Sequence, residues 1–403
     1  MTTTINNEHK KLNVPNLRFK EFQGEWEKKS LDEIGESFIG LTYKPTDVVS
    51  EGGLIVFRSS NIQNGCMDYK DIVRVNKNVK EKLITKKDDL LVCARNGSAR
   101  LIGKNAILHE IDANQTFGAF MMVFRSDINH FVHQLLNTRR YSSQVSENLG
   151  ARINQITSSD LSSFEFFFPK ENSEMNKIAA LLDLLDERIA TQNKIIEDLK
   201  KLKSAIIEKH YCKVEKQIAC VGDLGEPFSV GNLAKDDLTE TGIPCVIYGE
   251  LFTTYGETIS QIESHTYKTE GIILSKKGDL LFPSSTTVDA MSLIAPSVIN
   301  MDGVILGGDM FGIHISPNFN AQYLSYYFNH IAKRQLAKFA KGSTIIHLHY
   351  ADIEKAKLLL PSLEEQNRMA KCLVTLDDKI KKERTFFDLL NSQKAYLLCH
   401  MFI

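Results

Sequence analysis

Residues 174–210 read EMNKIAALLDLLDERIATQNKIIEDLKKLKSAIIEKH, and the fold is decided there. Apolar side chains fall at Ile178, Leu182, Leu185, Ile189, Ile196, Leu199 and Ile206, at spacings that alternate four and three. That is a heptad seam, the pattern of a helix built to lie along another helix. No proline or glycine interrupts it. At about 1.5 Å per residue it would reach roughly 50 Å, well beyond an ordinary core helix.

Residues 365–401 repeat the pattern, with Met369, Leu373, Leu376, Ile380, Phe387, Leu390 and Leu397 at matching positions. The shift is 191 residues at each (369 − 178, 390 − 199, 397 − 206). The exceptions match as well: Gln192 and Glu383 interrupt the seam at one position, Lys203 and Lys394 at another. A polar residue on a seam costs stability and fixes register. Two helices with one apolar stripe each hide those stripes most simply against each other. Two unrelated amphipathic helices, each packed on its own domain, would have no reason to share an offset and its exceptions. An antiparallel pair would bring Gln192 near Glu383 at mid-seam and carry two globular domains to opposite ends, so that the helices act as a ruler.

The segments between the helices are doubled too. Short apolar runs at 54–57, 72–75, 90–94, 106–108 and 119–124, parted by Gly, Asn, Asp and Lys, predict strands. A helix is expected over 129–148, a turn at 157–160 and a strand at 164–168 closed by Pro169, just before the first long helix. A crossover is expected at 211–216. The second half then answers the first. VGDLG at 221–225 matches LDEIG at 31–35, and KKGDLL at 276–281 matches KKDDLL at 86–91, a shift of 190 (279 − 89). Residues 320–341 match the helix near 140, 342–348 match 150–156, and LLLP at 358–361 matches FFFP at 166–169, a shift of 192 (361 − 169). The expected fold is α+β: two similar α/β domains related by pseudo-two-fold symmetry, separated by two long antiparallel coiled-coil helices. The expected boundaries are 1–24 for an N-terminal arm, 25–169 and 213–361 for the domains, and 170–212 and 362–403 for the helices.

A chain of 403 residues suffices for two or three domains, and 43% hydrophobic with 25% charged residues is ordinary for a globular protein. The first eleven residues are polar and lack the apolar centre of a signal peptide, and no apolar run approaches a membrane span. Cys66, Cys93, Cys212, Cys220, Cys245, Cys372 and Cys399 are scattered with no C-x-x-C pair, which disfavours zinc or a disulfide framework and fits the cytoplasm. With a net charge of −1, any nucleic-acid surface must be local.

No active site emerges. The 97–104 stretch has one residue too many for a phosphate loop, and Asn105 stands where a magnesium-binding hydroxyl is needed. The hydroxyls of Ser284, Ser285, Thr286 and Thr287 lack a nucleophile-elbow context. His347 and His349 share one side of an extended segment with no third metal ligand in sequence. Polar loops after strands stand out instead. Arg58, Ser59, Asn61 and Gln63 follow one apolar run, and Arg95, Asn96, Ser98 and Arg100 follow another. Arg can make paired hydrogen bonds to guanine, and Asn or Gln to adenine, while Ser, Thr and Lys suit phosphates. In the second half the corresponding candidates are Tyr248, the 284–287 hydroxyls, and the turn carrying Lys341, Ser343, Thr344 and His347. The halves share frame segments and differ in these loops, as two copies of one scaffold would if each read something different. Exposed polar loops are also the norm on any surface.

These residues resemble a known family, the specificity subunits of type I restriction–modification systems. The resemblance covers nearly the whole chain: Leu17, Arg18, Phe19 and Gly24 to Lys29 at the start, KKGDLL at 276–281, and Gly342, Ser343, Thr344, Ile345, His347, Leu348, Asp352, Ile353, Leu360, Pro361, Glu364, Glu365, Gln366, Leu376, Asp377 and Ile380 at the entrance to the second helix. The first-half counterparts at 150–156 and 169–172 are looser copies. The resemblance implies target recognition domains that each read half of a bipartite, asymmetric sequence in double-stranded DNA. It implies helices that space the halves and dock two methyltransferase (modification) subunits, with a motor–nuclease (restriction) subunit completing the complex. This chain would catalyse nothing and bind no cofactor; S-adenosylmethionine, ATP and Mg would sit on the partners. Two other readings are a coiled-coil scaffold joining two protein-binding domains without DNA, and an enzyme using the 95–104 loop or the 284–287 hydroxyls.

Overall fold

The structure, a computed structural model, describes residues 13–151 and 154–403. Residues 1–12 of the expected arm, and Arg152 and Ile153 of the expected 150–156 segment, lie outside the described residues. The chain divides into two compact units, one running to Gln192 and taking in Phe386–Ile403, the other Asn193–Thr385. The sequence segments expected as domains and helices are therefore regrouped: each unit holds a globular part and half of each long helix.

In the first unit one sheet orders Glu36–Ile39, Met121–Arg125, Leu90–Cys93 and Asn105–Ile107, every neighbour antiparallel. A second sheet orders Thr116–Phe117, Leu54–Phe57, Val73–Val75 and Val48–Val49. Leu90 and Val92 join a core with Met122, Phe124, Phe131 and Leu135, while Leu91 and Cys93 join another with Phe57, Phe117 and Val123. A strand buried on both faces has no polar side to show, which is why LLVC reads as an unbroken apolar run.

The second unit repeats this order. Gly225–Ser229, Met310–Ile315, Asp279–Pro283 and Ser297–Ile299 form one sheet, extended by Thr258–Ile259. Ile305–Gly307, Ile243–Ile247, Ser264–Thr266 and Leu238–Thr239 form the other, extended by Ile273–Leu274. The doubling expected from sequence is thus present in strand order. The KKDD and KKGD motifs have one job in both units. Asp89 accepts from the Lys86 backbone N–H and Asp279 from that of Lys276, each at 2.8 Å, closing the turn that feeds the central strand. The residue before each Asp has a positive φ, 63° at Asp88 and 93° at Gly278, a conformation glycine adopts without steric cost.

The long helices run Asn172–Lys213 and Leu363–His400, the first a few residues past Pro169. None of the seam positions is exposed. Ile178, Leu182, Leu185, Gln192, Ile196, Met369, Leu373, Ile380 and Leu390 are buried. Ile189, Leu199, Ile206, Leu376, Glu383, Phe387 and Leu397 are half-buried. The direction is antiparallel within each unit. In the first, Asp186 meets Lys394 and the Arg188 guanidinium lies 5.3 Å over the Phe386 ring. In the second, Lys203 meets Asp377 at 2.8 Å and His210 meets Glu365 at 3.1 Å.

Five expectations need correction. The helix over 129–148 is two, Asn129–Leu135 and Arg139–Ala151, because the Thr138 hydroxyl takes the Leu135 carbonyl at 2.7 Å and ends the first. The 320–341 helix likewise breaks into Ala321–His330, Lys333–Leu336 and a 3-10 turn, Ala337–Phe339. The 157–160 turn opens a short helix, Ser158–Ser162, capped by Thr157, and the first long helix extends into the expected crossover. Residues 13–24 are held against the first unit rather than hanging as an arm. Arg18 grips the buried Glu174 at 2.7 and 2.8 Å, and the Leu17 N–H donates to the His400 carbonyl at 2.8 Å.

Candidate nucleic-acid interface

In the first unit the central strand Leu90–Cys93 leaves the core after Ala94 and is pinned from both sides. Ala94 and Arg95 both donate backbone N–H groups to the Phe120 carbonyl, at 2.9 and 3.0 Å. Ile156 donates to the Ala94 carbonyl at 2.9 Å, and Arg95 pairs with Gln155 across an isolated bridge. Held this way, the Arg95 side chain stands exposed with its guanidinium 5.3 Å over the ring of Phe120, itself 58% exposed. The 58–63 loop is brought alongside, since Asn96 Nδ2 donates to Ser59 Oγ at 2.9 Å.

Within these two loops the candidates separate. Arg95, Gln63 and Arg100 are exposed, and Ser59, Asn96 and Ser98 are half-buried. Asn96 also accepts from the Ser98 N–H at 3.0 Å, closing its own turn. Arg58 is paired with Asp71 at 2.7 Å. The Ser60 hydroxyl first, then the Arg58 guanidinium, hold the Asp71 carboxyl below the usual carboxylate range. Asn61, expected at a base edge, faces inward. Its side chain is fully buried, accepts from the Arg58 N–H at 2.9 Å and donates to the carbonyls of Asp68 and Asp71 at 3.0 and 2.9 Å. Its amide shapes the loop and offers no free edge. Lys104 is drawn to the Ile62 carbonyl at 2.8 Å, and burial pulls its pKa down, so the 97–104 stretch makes no phosphate cradle.

The second unit builds the same edge from different side chains. Ser284 donates its N–H to the Asp309 carbonyl at 2.8 Å, and Leu348 donates to the Ser284 carbonyl at 2.9 Å. Ser285–Thr286 then pairs with Ile346–His347, and Lys341 exchanges two backbone hydrogen bonds with His347. Lys341 Nζ lies 2.5 Å from Asp352, whose carboxyl it holds low. Ser343, Thr344, Thr287 and His347 are exposed, Thr286 is half-buried, and Ser284 and Ser285 are buried. A cleft of about 800 Å³ opens beside them, lined by Tyr248, Tyr255, Ser285, Thr286, Asn329 and Lys333. The second-half candidates therefore converge on one face of their unit.

By backbone position Arg95 corresponds to Ser285, Gln155 to His347 and Phe120 to Asp309. Sequence reading missed Phe120, because the 119–124 run reads as core strand. It also missed Gln155 as a position on this edge, although subtracting the shift of 192 from His347 points at it. Among the described residues, no group of three or more His, Cys, Asp or Glu could hold a metal ion. No helix among them is long and apolar enough to cross a membrane.

The family model for the type I restriction modification DNA specificity domain matches residues 23–201 and again 213–385. The EcoKI specificity subunit of Escherichia coli K12 is 28% identical over 179 residues, which is 42% of this chain and 38% of that protein. The StySPI specificity subunit of Salmonella potsdam is 26% identical over 45% of this chain and 42% of its own length. The matches therefore span only about two fifths of either relative. The putative MjaX specificity subunit of Methanocaldococcus jannaschii is 22% identical over 93% of this chain and 92% of its own. Among solved structures, the type I restriction–modification S subunit of M. genitalium superposes with a TM-score of 0.63 at 16% identity, covering 97% of this chain and 99% of that one, a likeness of fold.

Proposed function

The chain belongs to the type I restriction–modification DNA specificity family, and from that premise we propose that it is the sequence-reading subunit of such a complex, each unit reading one half of a split, asymmetric DNA target. One observation carries the reading: the same pinned strand end carries Arg95, Gln155 and Phe120 in one unit and the buried Ser285 with His347 and Asp309 in the other. A shared frame with exchanged side chains is what two different half-sites require. The helix pair sets the unread gap and docks two methyltransferase subunits. Those partners carry S-adenosylmethionine, which supplies the methyl group for adenine. A motor–nuclease partner uses ATP and Mg to cleave unmethylated DNA in the cytoplasm. This chain performs no chemical step; its residues bind and orient.

Long-read mapping of methylated adenines tests this, in cells carrying the chain with its partner subunits. A single bipartite motif is expected, and exchanging the 94–100 loop should alter one half of it only. Four residues inserted beside Gln192 and four beside Glu383 should lengthen the gap by about two base pairs, at ~1.5 Å of helix per residue and ~3.4 Å of DNA per pair. A scaffold without DNA predicts no motif and no salt-dependent DNA binding, and either result would remove the reading.

A further inference from the structure

In each unit one carboxylate ties three elements together. In the second unit Asp377, on the second long helix, accepts from Lys203 Nζ of the first long helix at 2.8 Å. It also accepts from the Tyr326 hydroxyl, on the globular helix Ala321–His330, at 2.6 Å. In the first unit Asp186, on the first long helix, accepts from Lys394 Nζ of the second long helix at 2.5 Å. It also accepts from Gln134 Nε2, on the globular helix Asn129–Leu135, at 3.0 Å. The three positions obey the internal repeat, with shifts of 191 (377 − 186), 191 (394 − 203) and 192 (326 − 134). The long helices exchange roles between units. Lys203, Gln134 and Tyr326 are buried.

A buried ion pair on an apolar seam is weak evidence of stability, because desolvation offsets most of its Coulomb gain. It does specify geometry: apolar side chains tolerate small slides and rotations, and directional hydrogen bonds do not. Each cluster also continues toward its reading edge. In the first unit Gln134 donates to Asp183 as well, at 2.9 Å. His130 bridges Asp183, at 2.6 Å, to Asp88, at 3.2 Å, in the turn that feeds the central strand. In the second, Lys203 also holds Glu257 at 2.9 Å, and Glu257 lines the cleft beside Ser285.

We propose that Asp186 and Asp377 are positioning residues that fix the angle at which each unit's reading edge stands on its own segments of the helix pair, and thereby how strictly the unread gap is enforced. This rests on the DNA-reading function proposed above. The test uses the chain reconstituted with its methyltransferase partners on a target library. Both half-sites are held constant and the gap is varied by about two base pairs either way. Tyr326→Phe removes one bond to a carboxylate, Gln134→Met removes two, to Asp186 and Asp183, and both keep side-chain bulk. Each should leave the half-site bases unchanged while raising methylation at neighbouring gaps relative to the preferred gap, about tenfold for Tyr326→Phe, as expected for one lost hydrogen bond to a charged group, and at least as much for Gln134→Met. A gap as strict as in the parent, in variants whose urea midpoint has fallen, would make the clusters merely structural and overturn the proposal. If Tyr326→Phe yields no complex, Gln134→Met asks the same question in the other unit, and Lys394→Arg, which keeps the charge, should restrict the gap as the parent does. Absence of any bipartite motif in the parent would instead sink the DNA-reading function itself.

Discussion

Arg125, at the end of its strand, grips Asp89, in the turn that feeds the neighbouring strand, with two parallel hydrogen bonds, Nε to Oδ1 and Nη2 to Oδ2, both 2.8 Å. Asp89 is buried, and Arg125 also donates to the Lys82 and Ile84 carbonyls. Arg125→Met strands a buried carboxylate, and unfolding in urea should show a loss of about 3 kcal/mol. The corresponding pair in the second unit, His314 and Asp279, has a single bond of 2.6 Å. His314→Phe should cost less than Arg125→Met; equal costs would remove the paired geometry as the cause.

Arg95 lies over Phe120 at the pinned strand end, so the ring restricts where the guanidinium can go before DNA arrives. Arg95→Ala should relax the preference at one base position by about 1–3 kcal/mol. Phe120→Ala should relax the same position by less, about 1 kcal/mol, because it removes only the cation–π shelf. Methylation mapping reads both. If the two variants affect different positions, or lower methylation evenly across all targets, Arg95 holds a phosphate and reads no base.

Asn61 should behave differently. With three hydrogen bonds inside its loop, Asn61→Ala strands the Arg58 N–H and two carbonyls and should destabilise the first unit by about 2 kcal/mol. Methylation should fall at all targets without a new base at any position. A clean switch of one base would show that Asn61 turns outward on DNA.

Asn61 and Phe120 mark where the sequence stops being readable. Side-chain type says what a residue could donate, but the direction it faces depends on partners far along the chain. Asn61 was brought inside by Asp68 and Asp71, and Phe120 was turned outward by a strand that starts one residue later, at Met121. The heptad seam and the buried strands were readable because burial leaves a period in the sequence itself. The offset that paired Lys203 with Lys394 was also legible, yet their partners were not. Asp377 and Asp186 flank the seam and look, in sequence, like solvated positions. The broken helix at Thr138 escaped for a related reason: a side chain capturing a carbonyl leaves no periodic trace.

His130 and His133, one turn apart in Asn129–Leu135, should give the first unit opposite pH slopes. The hydrogen bond that His130 donates to Asp183 is the main cause that raises His130 to about 8, above its unfolded value near 6.5. Its contribution is complete below pH ~6.5 and is lost as pH rises through about 8. Burial, then the Lys394 charge, lowers His133 to about 4. Its contribution is complete above pH ~6.5 and is lost as pH falls toward about 4. Urea midpoints followed across this range should therefore peak near neutrality. His130→Gln should flatten the alkaline limb and His133→Gln the acid limb. An alkaline limb that survives in His130→Gln would mean another group drives it, and the Asp183–His130–Asp88 bridge would lose its place in the first unit's stability.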